Sequence, residues 1–508
     1  MKTALAPQLS LSFDDGFDQE AKRHAVTDPA SYKGLYALHK YWGKKPHEVL
    51  GYVVDHLTQA DDVVLDPFMG SGTTGRESLL RGRRFIGCDL NPCAVELAEL
   101  MVSPPEHDLI ATAFEDIRKR CRDRIYATYS DAHTTAPSHF LWRGPVLEQV
   151  WVTGENSRRV VRRPATLKDQ ELSLRLDSYE TFRLRPLRFF KNSRINASPE
   201  LGWRDLFAGR ALRNLDLLHE AICSQPAVAR RTLLLALTAS SGQMSKMVFA
   251  ISGRGKTTGK TSDRIEVGSW VIGYWRPILH FEVNAWDCFE RRTTKFLKAL
   301  AADDPLRHCA TSNSVNAVIE GNADASIQVA DSRRLIASIP DNSISLIITD
   351  PPHSDRIPYL ELSEMWNAIL GESPEFTEEL VVSNARVRRK SKSTFAIELR
   401  DTLQDMSRVL RPDGFLVLVF NARNVKDWEG ITTHMNRDNQ NNALIYAGRF
   451  PVHYSTGSVV QDNRGGGLKY DYAMVFTRAT SGPFAPSRQL ETLRKLEGWE
   501  PAGKTIQT

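Results

Sequence analysis

The segment Asp62-Val63-Val64-Leu65-Asp66-Pro67-Phe68-Met69-Gly70-Ser71-Gly72-Thr73-Thr74-Gly75 constrains the fold more than any other part of the chain. Val63 to Leu65 are a short apolar run suited to a buried parallel strand, and the glycines that follow turn the chain. Thr73 to Leu80 then read as a helix ended by Gly82. Arg84-Phe85-Ile86-Gly87-Cys88-Asp89 is a second strand ending in a carboxylate, with Asn91 as N-cap and Pro92 as the first residue of another helix. A strand-helix-strand unit of this kind needs a crossover, which implies a parallel sheet with helices on its faces. The fold class expected is therefore α/β.

Gly70 to Gly75 satisfy G-x-G-x-x-G, and Asp89 lies 19 residues after Gly70. Glycines let the backbone approach a cofactor closely, and a carboxylate at the tip of the second strand can accept hydrogen bonds from ribose hydroxyls. Dinucleotides and S-adenosylmethionine both offer these features, so the unit alone leaves a dehydrogenase and a methyl-donor protein open. A second segment separates them. In Ser343-Ile344-Ser345-Leu346-Ile347-Ile348-Thr349-Asp350-Pro351-Pro352-His353 a buried strand delivers Asp-Pro-Pro to the carboxyl edge of the sheet, where ligand sites of open α/β sheets collect. The two prolines restrict the turn and present the Asp350 carboxylate with a backbone carbonyl, a double acceptor for an NH2 group. A dehydrogenase leaves that device without a task.

Phe68-Met69-Gly70-Ser71-Gly72 and Asp350-Pro351-Pro352-His353 together resemble the cofactor and catalytic signatures of the exocyclic-amino DNA methyltransferases, F-x-G-x-G and D/N/S-P-P-Y/F/W. The resemblance extends to His39-Lys40-Tyr41-Trp42-Gly43-Lys44-Lys45-Pro46, similar to the segment that touches the methionine end of the donor. It also extends to Asp331, similar to the acidic position beside the donor adenine. Leu399, Leu403, Met406 and Leu410, followed by Arg411 to Gly414 and an apolar run from Phe415 to Phe420, resemble the next helix-strand step. Arg188-Phe189-Phe190-Lys191-Asn192-Ser193-Arg194, Asp205-Leu206-Phe207 and Glu282-Val283-Asn284-Ala285-Trp286 resemble, more loosely, a subgroup of large bacterial adenine-specific DNA methylases.

The resemblance implies an α/β, doubly wound Rossmann-like methyltransferase sheet with a large mixed α+β insertion and S-adenosyl-L-methionine as donor. Lys45, Pro46, Asp66, Phe68, Gly70, Gly72, Thr73, Asp89 and Asp331 would bind it. It implies DNA as substrate, with the target base flipped out because a stacked base cannot bring its amino group to the sulfonium. Asp350, Pro351, Pro352 and His353 would be catalytic. Asp350 and the Pro351 carbonyl would accept the amine N–H bonds and aim its lone pair at the methyl group. Adenine N6 is favoured and cytosine N4 is the alternative. His353 departs from the usual aromatic residue, since imidazole offers less area for stacking on a base. That departure leaves a third reading, a DNA-binding protein with a degenerate site. Pro92-Cys93-Ala94 is no nucleophile motif, and Cys93 reads as a packed helix residue.

The expected organisation is an N-terminal extension (1–29), a cofactor half (30–101), an insertion with the target-recognition region (102–320), a catalytic half (321–480) and a tail (481–508). Net charge over the 508 residues is only +5, but residues 151–213 hold 14 basic against 7 acidic residues. Aromatic residues are interleaved there, a pattern suited to phosphates and unstacked bases. Arg188, Lys191 and Arg194 from this region, with Arg386, Arg388, Arg389, Lys390 and Lys392, are the candidate nucleic-acid contacts. Neither Gly255-Lys256-Thr257 nor Gly259-Lys260-Thr261 has the preceding glycine a P-loop needs, so 252–262 reads as a basic loop. Six cysteines without a C-x-x-C pair argue against a disulfide framework or a zinc ribbon and fit a reducing cytoplasm. No metal and no membrane span are expected, and a restriction or defence-system partner is left open.

Overall fold

The computed structural model describes residues 31–130, 137–153, 160–251, 265–352, 357–420, 444–453, 470–478 and 487–502. The extension 1–29, the 252–262 loop and His353 lie outside them. In chain order the strands are β1 (Val63–Asp66), β2 (Arg84–Asp89), β3 (His139–Arg143), β4 (Val146–Thr153), β5 (Val160–Pro164), β6 (Val248–Ile251) and β7 (Glu266–Val267). They continue with β8 (Leu279–Val283), β9 (Ala325–Val329), β10 (Ile344–Thr349), β11 (Leu410–Phe420), β12 (Leu444–His453), β13 (Tyr470–Arg478) and β14 (Glu500–Pro501).

Eight of these form one sheet in the order β14-β12-β13-β11-β10-β1-β2-β9. From β9 to β11 neighbouring strands are parallel. β13 runs antiparallel to both β11 and β12. Alternation along the strands sends side chains to both faces, and both faces are covered. Leu65, Ile86, Ile347 and Leu416 pack with Leu335, Leu399, Leu403 and Met406 on one side. Val64, Phe85, Leu346 and Val417 pack with Val49, Val53, Val95 and Ala98 on the other. Strands buried on both faces read as continuous apolar runs, which is why β1 and β10 stand out in the sequence. Strand order reverses at β1, whose neighbours are β2 and β10, and a crevice opens at such a point.

Six strands from the middle of the chain form a second sheet, ordered β5-β4-β3-β8-β6-β7 and antiparallel throughout. Helices His107–Tyr126, Gly209–Cys223, Ala227–Ser241 and Ala285–Leu300 accompany it. The helical patterns expected at Leu212 to Cys223 and Val228 to Ser240 fall in the second and third of these, and the strand-like piece Val146 to Thr153 is β4. Cys93 is fully buried on helix Pro92–Val102. Trp42, Trp270 and Trp366 cluster in the core that includes the second sheet, with Trp42 and Trp366 stacked at 4.7 Å and the Trp270 ring edge-on to both.

One expectation is corrected. The segment read as an appended tail is structured over 487–502: helix Ser487–Arg494 buries Leu493, and Leu496 follows it into the core. β14 then pairs with β12, covering part of that sheet edge. Leu490, Leu493 and Leu496, spaced three apart, are too short a pattern to read as a helix beside Pro483, Pro486 and Pro501. No helix among the described residues is long and apolar enough to cross a membrane.

Behind the second sheet Arg210, with 0% side-chain exposure, makes a two-pronged pair with Glu282 at 2.6 and 2.7 Å and lies over the Tyr129 and Phe140 rings. Removing one partner strands the other charge in the core. Glu282→Gln is expected to lower stability in urea unfolding by about 3–5 kcal/mol. A loss below about 1 kcal/mol would contradict the pair's role.

Candidate active site

The glycine turn after β1 is shaped by close packing. Gly70 and Gly72 have φ of 53° and 80°, in the left-handed region that favours glycine. A Cβ on Gly72 would stand 2.6 Å from the Ala98 Cα, so no larger residue fits there without moving helix Pro92–Val102. Two aspartates hold this turn. Asp89, at the end of β2, accepts hydrogen bonds from the Gly70 N–H (3.0 Å) and the Asn91 N–H (2.8 Å). Asp66, at the end of β1, accepts from the Phe68 N–H (3.1 Å), the Thr74 hydroxyl (2.7 Å) and the Thr349 hydroxyl (2.7 Å).

That last bond crosses to β10 and sets the residue before Asp350 beside the glycine turn. Asp350 continues from β10, and its Oδ2 lies 3.2 Å from the Lys45 ammonium. Between them opens a cleft whose walls include Tyr41, Phe68, Tyr359 and Leu360, with Tyr41 and Tyr359 stacked at 6.0 Å. Its floor is acidic: Asp66, Asp89, Asp331, Asp350, Glu378 and Glu379 line it, against Lys44 and Lys45.

Lys45, Asp66, Phe68, Gly70, Thr73, Asp89, Asp331, Asp350 and Pro352 all border this cleft. Pro46, Gly72 and Pro351 do not line it. Pro46 stands buried at the N-cap of helix His47–Leu57, Gly72 packs on Ala98, and Pro351 is buried behind the turn. Asp331 also caps helix Ser332–Ser338 and pairs with Arg333. Burial opposes its ionisation, but the Arg333 hydrogen bonds and charge prevail and hold its carboxyl below the ordinary value. Tyr359 and Glu379 also line the cleft, and no motif in the sequence marks either of them. Tyr359 starts a helix behind Pro358, and nothing in its spacing from Asp350 marks it.

Two expected nucleic-acid contacts are corrected. The Arg388 side chain is only 2% exposed and pairs with Glu361 (2.7 Å) and Glu379 (2.5 Å). Lys390 is 7% exposed and pairs with Glu398 at 3.1 Å. Both are interior cations, engaged by carboxylates rather than open to a phosphate. Arg386, Arg389 and Lys392 in the same segment are exposed, as are Arg188, Lys191 and Arg194. The two basic segments meet: Phe190 packs edge-on to Phe376 at 5.1 Å, and Arg388 lies over both rings. The segment holding Arg188 is pinned on helix Tyr359–Leu370, where Glu364 accepts from Arg185 (2.8 Å) and the Arg188 N–H (2.6 Å), and Glu361 accepts from Asn192 (2.9 Å).

Residues 17–100 match a family model described as DNA methylase. Over 92 residues the chain is 34% identical to the Type II methyltransferase M.MjaII of Methanocaldococcus jannaschii, covering 18% of this chain and 16% of that protein. Over 82 residues it is 43% identical to the Type II methyltransferase M2.LlaDCHI of Lactococcus lactis subsp. cremoris, covering 16% and 29%. It is 42% identical over 48 residues to the DNA adenine methyltransferase YhdJ of Escherichia coli, covering 9% and 16%. The chain thus spans less than a third of the length of these relatives. The resemblance of the glycine half to the exocyclic-amino DNA methyltransferases, a family that draws its methyl group from S-adenosylmethionine, is borne out by these matches.

Burial pushes the carboxyls of Asp66 and Asp89 up to about 6 and about 7, against the hydrogen bonds they accept. An aspartate in the unfolded chain ionises near about 3.9, so the folded chain holds protons that the unfolded chain has lost, and charging these groups costs stability. Stability is expected to fall as pH rises from about 4 to about 7. Asp89→Asn should flatten the upper part of that fall in urea titrations, and an unchanged profile would contradict the assignment.

Proposed function

We propose that the chain transfers a methyl group from S-adenosylmethionine to an exocyclic amino group of a base in DNA, adenine N6 in the first place. The observation that carries this is the standing of Asp350 on the same cleft as Gly70 and Asp89, held there through Thr349 and Asp66. The strand order, with β13 set antiparallel between β11 and β12 and β14 antiparallel at the edge of an otherwise parallel sheet, supports reading it as a Rossmann-like methyltransferase sheet. In that reading, 30–101 and 321–480 build one core and 102–320 supplies target recognition.

The cleft suits the donor chemically. With Arg333 and Arg388 answering Asp331, Glu378 and Glu379, the carboxyls of Asp66, Asp89 and Asp350 still outnumber the ammonium groups of Lys44 and Lys45, a balance that suits a cationic ligand, and S-adenosylmethionine is a sulfonium cation. Asp89 would accept from the ribose hydroxyls, the Gly70–Ser71 backbone leaves room for close approach, and Phe68 with Asp331 would border the adenine. When bound, the donor supplies an electrophilic methyl group. The chain's own task is to orient the nucleophile. An aromatic amine is a poor nucleophile because its lone pair is delocalised into the ring. The Asp350 carboxylate on the cleft, with the Pro351 carbonyl beside the cleft-lining Pro352, would accept its two N–H bonds and favour a pyramidal nitrogen with the lone pair directed into the cleft. The proton surplus on the methylated nitrogen is held at the Asp350 carboxylate until water takes it. Tyr41 and Tyr359 wall the cleft and limit water there. Arg386, Arg389 and Lys392, with Arg188, Lys191 and Arg194, would meet the phosphates of a duplex whose target base is turned out.

The test is transfer of labelled methyl to DNA, with the modified base identified by mass spectrometry. Label in N6-methyladenine is expected. Asp350→Ala should lower kcat by about a hundredfold or more while calorimetry shows donor binding retained. Label in N4-methylcytosine would correct the target base, and wild-type rates in the variant would overturn the role of Asp350.

A further inference from the structure

The ionisable groups of the cleft are balanced unequally. Arg333 answers Asp331 and Glu378, and Arg388 answers Glu379. Among the described residues, Asp66 and Asp89 are met by hydroxyl and amide donors only. Lys44 turns its ammonium to the backbone carbonyls of Tyr36 (3.1 Å) and His39 (2.9 Å). Lys45 is different: its side chain is 5% exposed and its Nζ is 3.2 Å from Asp350 Oδ2, in a carboxylate 19% exposed. The resemblance drawn from sequence gave Lys45 to the methionine end of a donor. Its position gives it to the carboxylate.

We propose that Lys45 is a positioning residue for Asp350, fixing one oxygen of the carboxylate and keeping the group ionised in an acidic cleft. The need follows from simple electrostatics. Asp66 faces Asp350 from the end of β1, and the negative charge on Asp350 is one of the causes that raise the Asp66 carboxyl. The effect is mutual, so Asp66 disfavours a charge on Asp350. Asp89, Asp331, Glu378 and Glu379 border the same space, with the Tyr41 and Tyr359 phenols. A protonated Asp350 would offer an O–H donor on the oxygen where an amine N–H needs an acceptor. An opposite charge at ion-pair distance lowers a carboxyl's pKa by roughly 1–3 units and so opposes that loss. Pro46 and helix Val49 to Leu57 behind it are packed into the core, so the segment that carries Lys45 is anchored.

The consequence for transfer rests on the function proposed above, whereas the pairing does not. The carboxyl of Asp350 can be titrated by carbon NMR, identified by its absence in Asp350→Asn, in the full chain and in Lys45→Met, Lys45→Gln and Lys45→Arg. The glutamine variant serves if the methionine variant fails to fold. Both neutral variants are expected to raise the Asp350 midpoint by about one pH unit or more, and Lys45→Arg to restore it. The acid limb of kcat should move to higher pH in the same order, with donor affinity near that of the unchanged chain. An unmoved midpoint in the neutral variants would overturn the proposal. So would loss of donor affinity with the acid limb in place, which would return Lys45 to the donor. A shifted midpoint without methyl transfer to any DNA would support the pairing and count against the function proposed above.

Discussion

A single buried carboxylate holds the site together. Asp66 closes β1, and its two oxygens accept from the Phe68 amide, the Thr74 hydroxyl and the Thr349 hydroxyl, the last 283 residues further along the chain. A carboxylate buried in this way must have its acceptor capacity filled, because leaving it unpaired costs several times an ordinary hydrogen bond. The requirement fixes the turn after β1, the start of the helix behind it and the end of β10 in one arrangement. The backbone of Asp350, the next residue after Thr349, is thereby held at the cleft.

The second constraint is charge. Carboxylates crowd the cleft, and the structure answers them one by one, by arginines at Asp331 and Glu379, by amide donors at Asp89 and by Lys45 at Asp350. Arg388 links this balance to the middle of the chain. It pairs with Glu379 at the cleft and with Glu361 on helix Tyr359–Leu370, the helix on which Asn192 and Arg185 also dock. The exposed basic residues around it therefore ride on segments tied to the cleft wall.

Much of this was legible in the residues themselves. Runs such as Val63 to Leu65 and Ile344 to Ile348 are buried on both faces, the glycines at 70 and 72 take a positive φ, and Gly72 has no space for a Cβ against Ala98, so local chemistry marks them. What escaped depends on partners distant in sequence. The charge run from Arg386 to Lys392 looks uniformly solvated until Glu361, Glu379 and Glu398 are seen to take two of its members inside. Tyr359 joins the cleft through its packing on Tyr41, a contact that no spacing encodes. The antiparallel order of the second sheet rests on pairings such as β3 with β8, about 140 residues apart, where short strands carry little signal of their partner.

The account turns on a methyl donor lying in the cleft between the glycine turn and Asp350. A crystal structure of the chain with a non-reactive analogue of S-adenosylmethionine tests this most directly. The ribose should lie on Asp89 and the sulfur position should face the Asp350 carboxylate, with the bond from Thr349 to Asp66 kept. An analogue seated elsewhere, or one bound in the cleft with Asp350 turned out of its reach, would contradict the account.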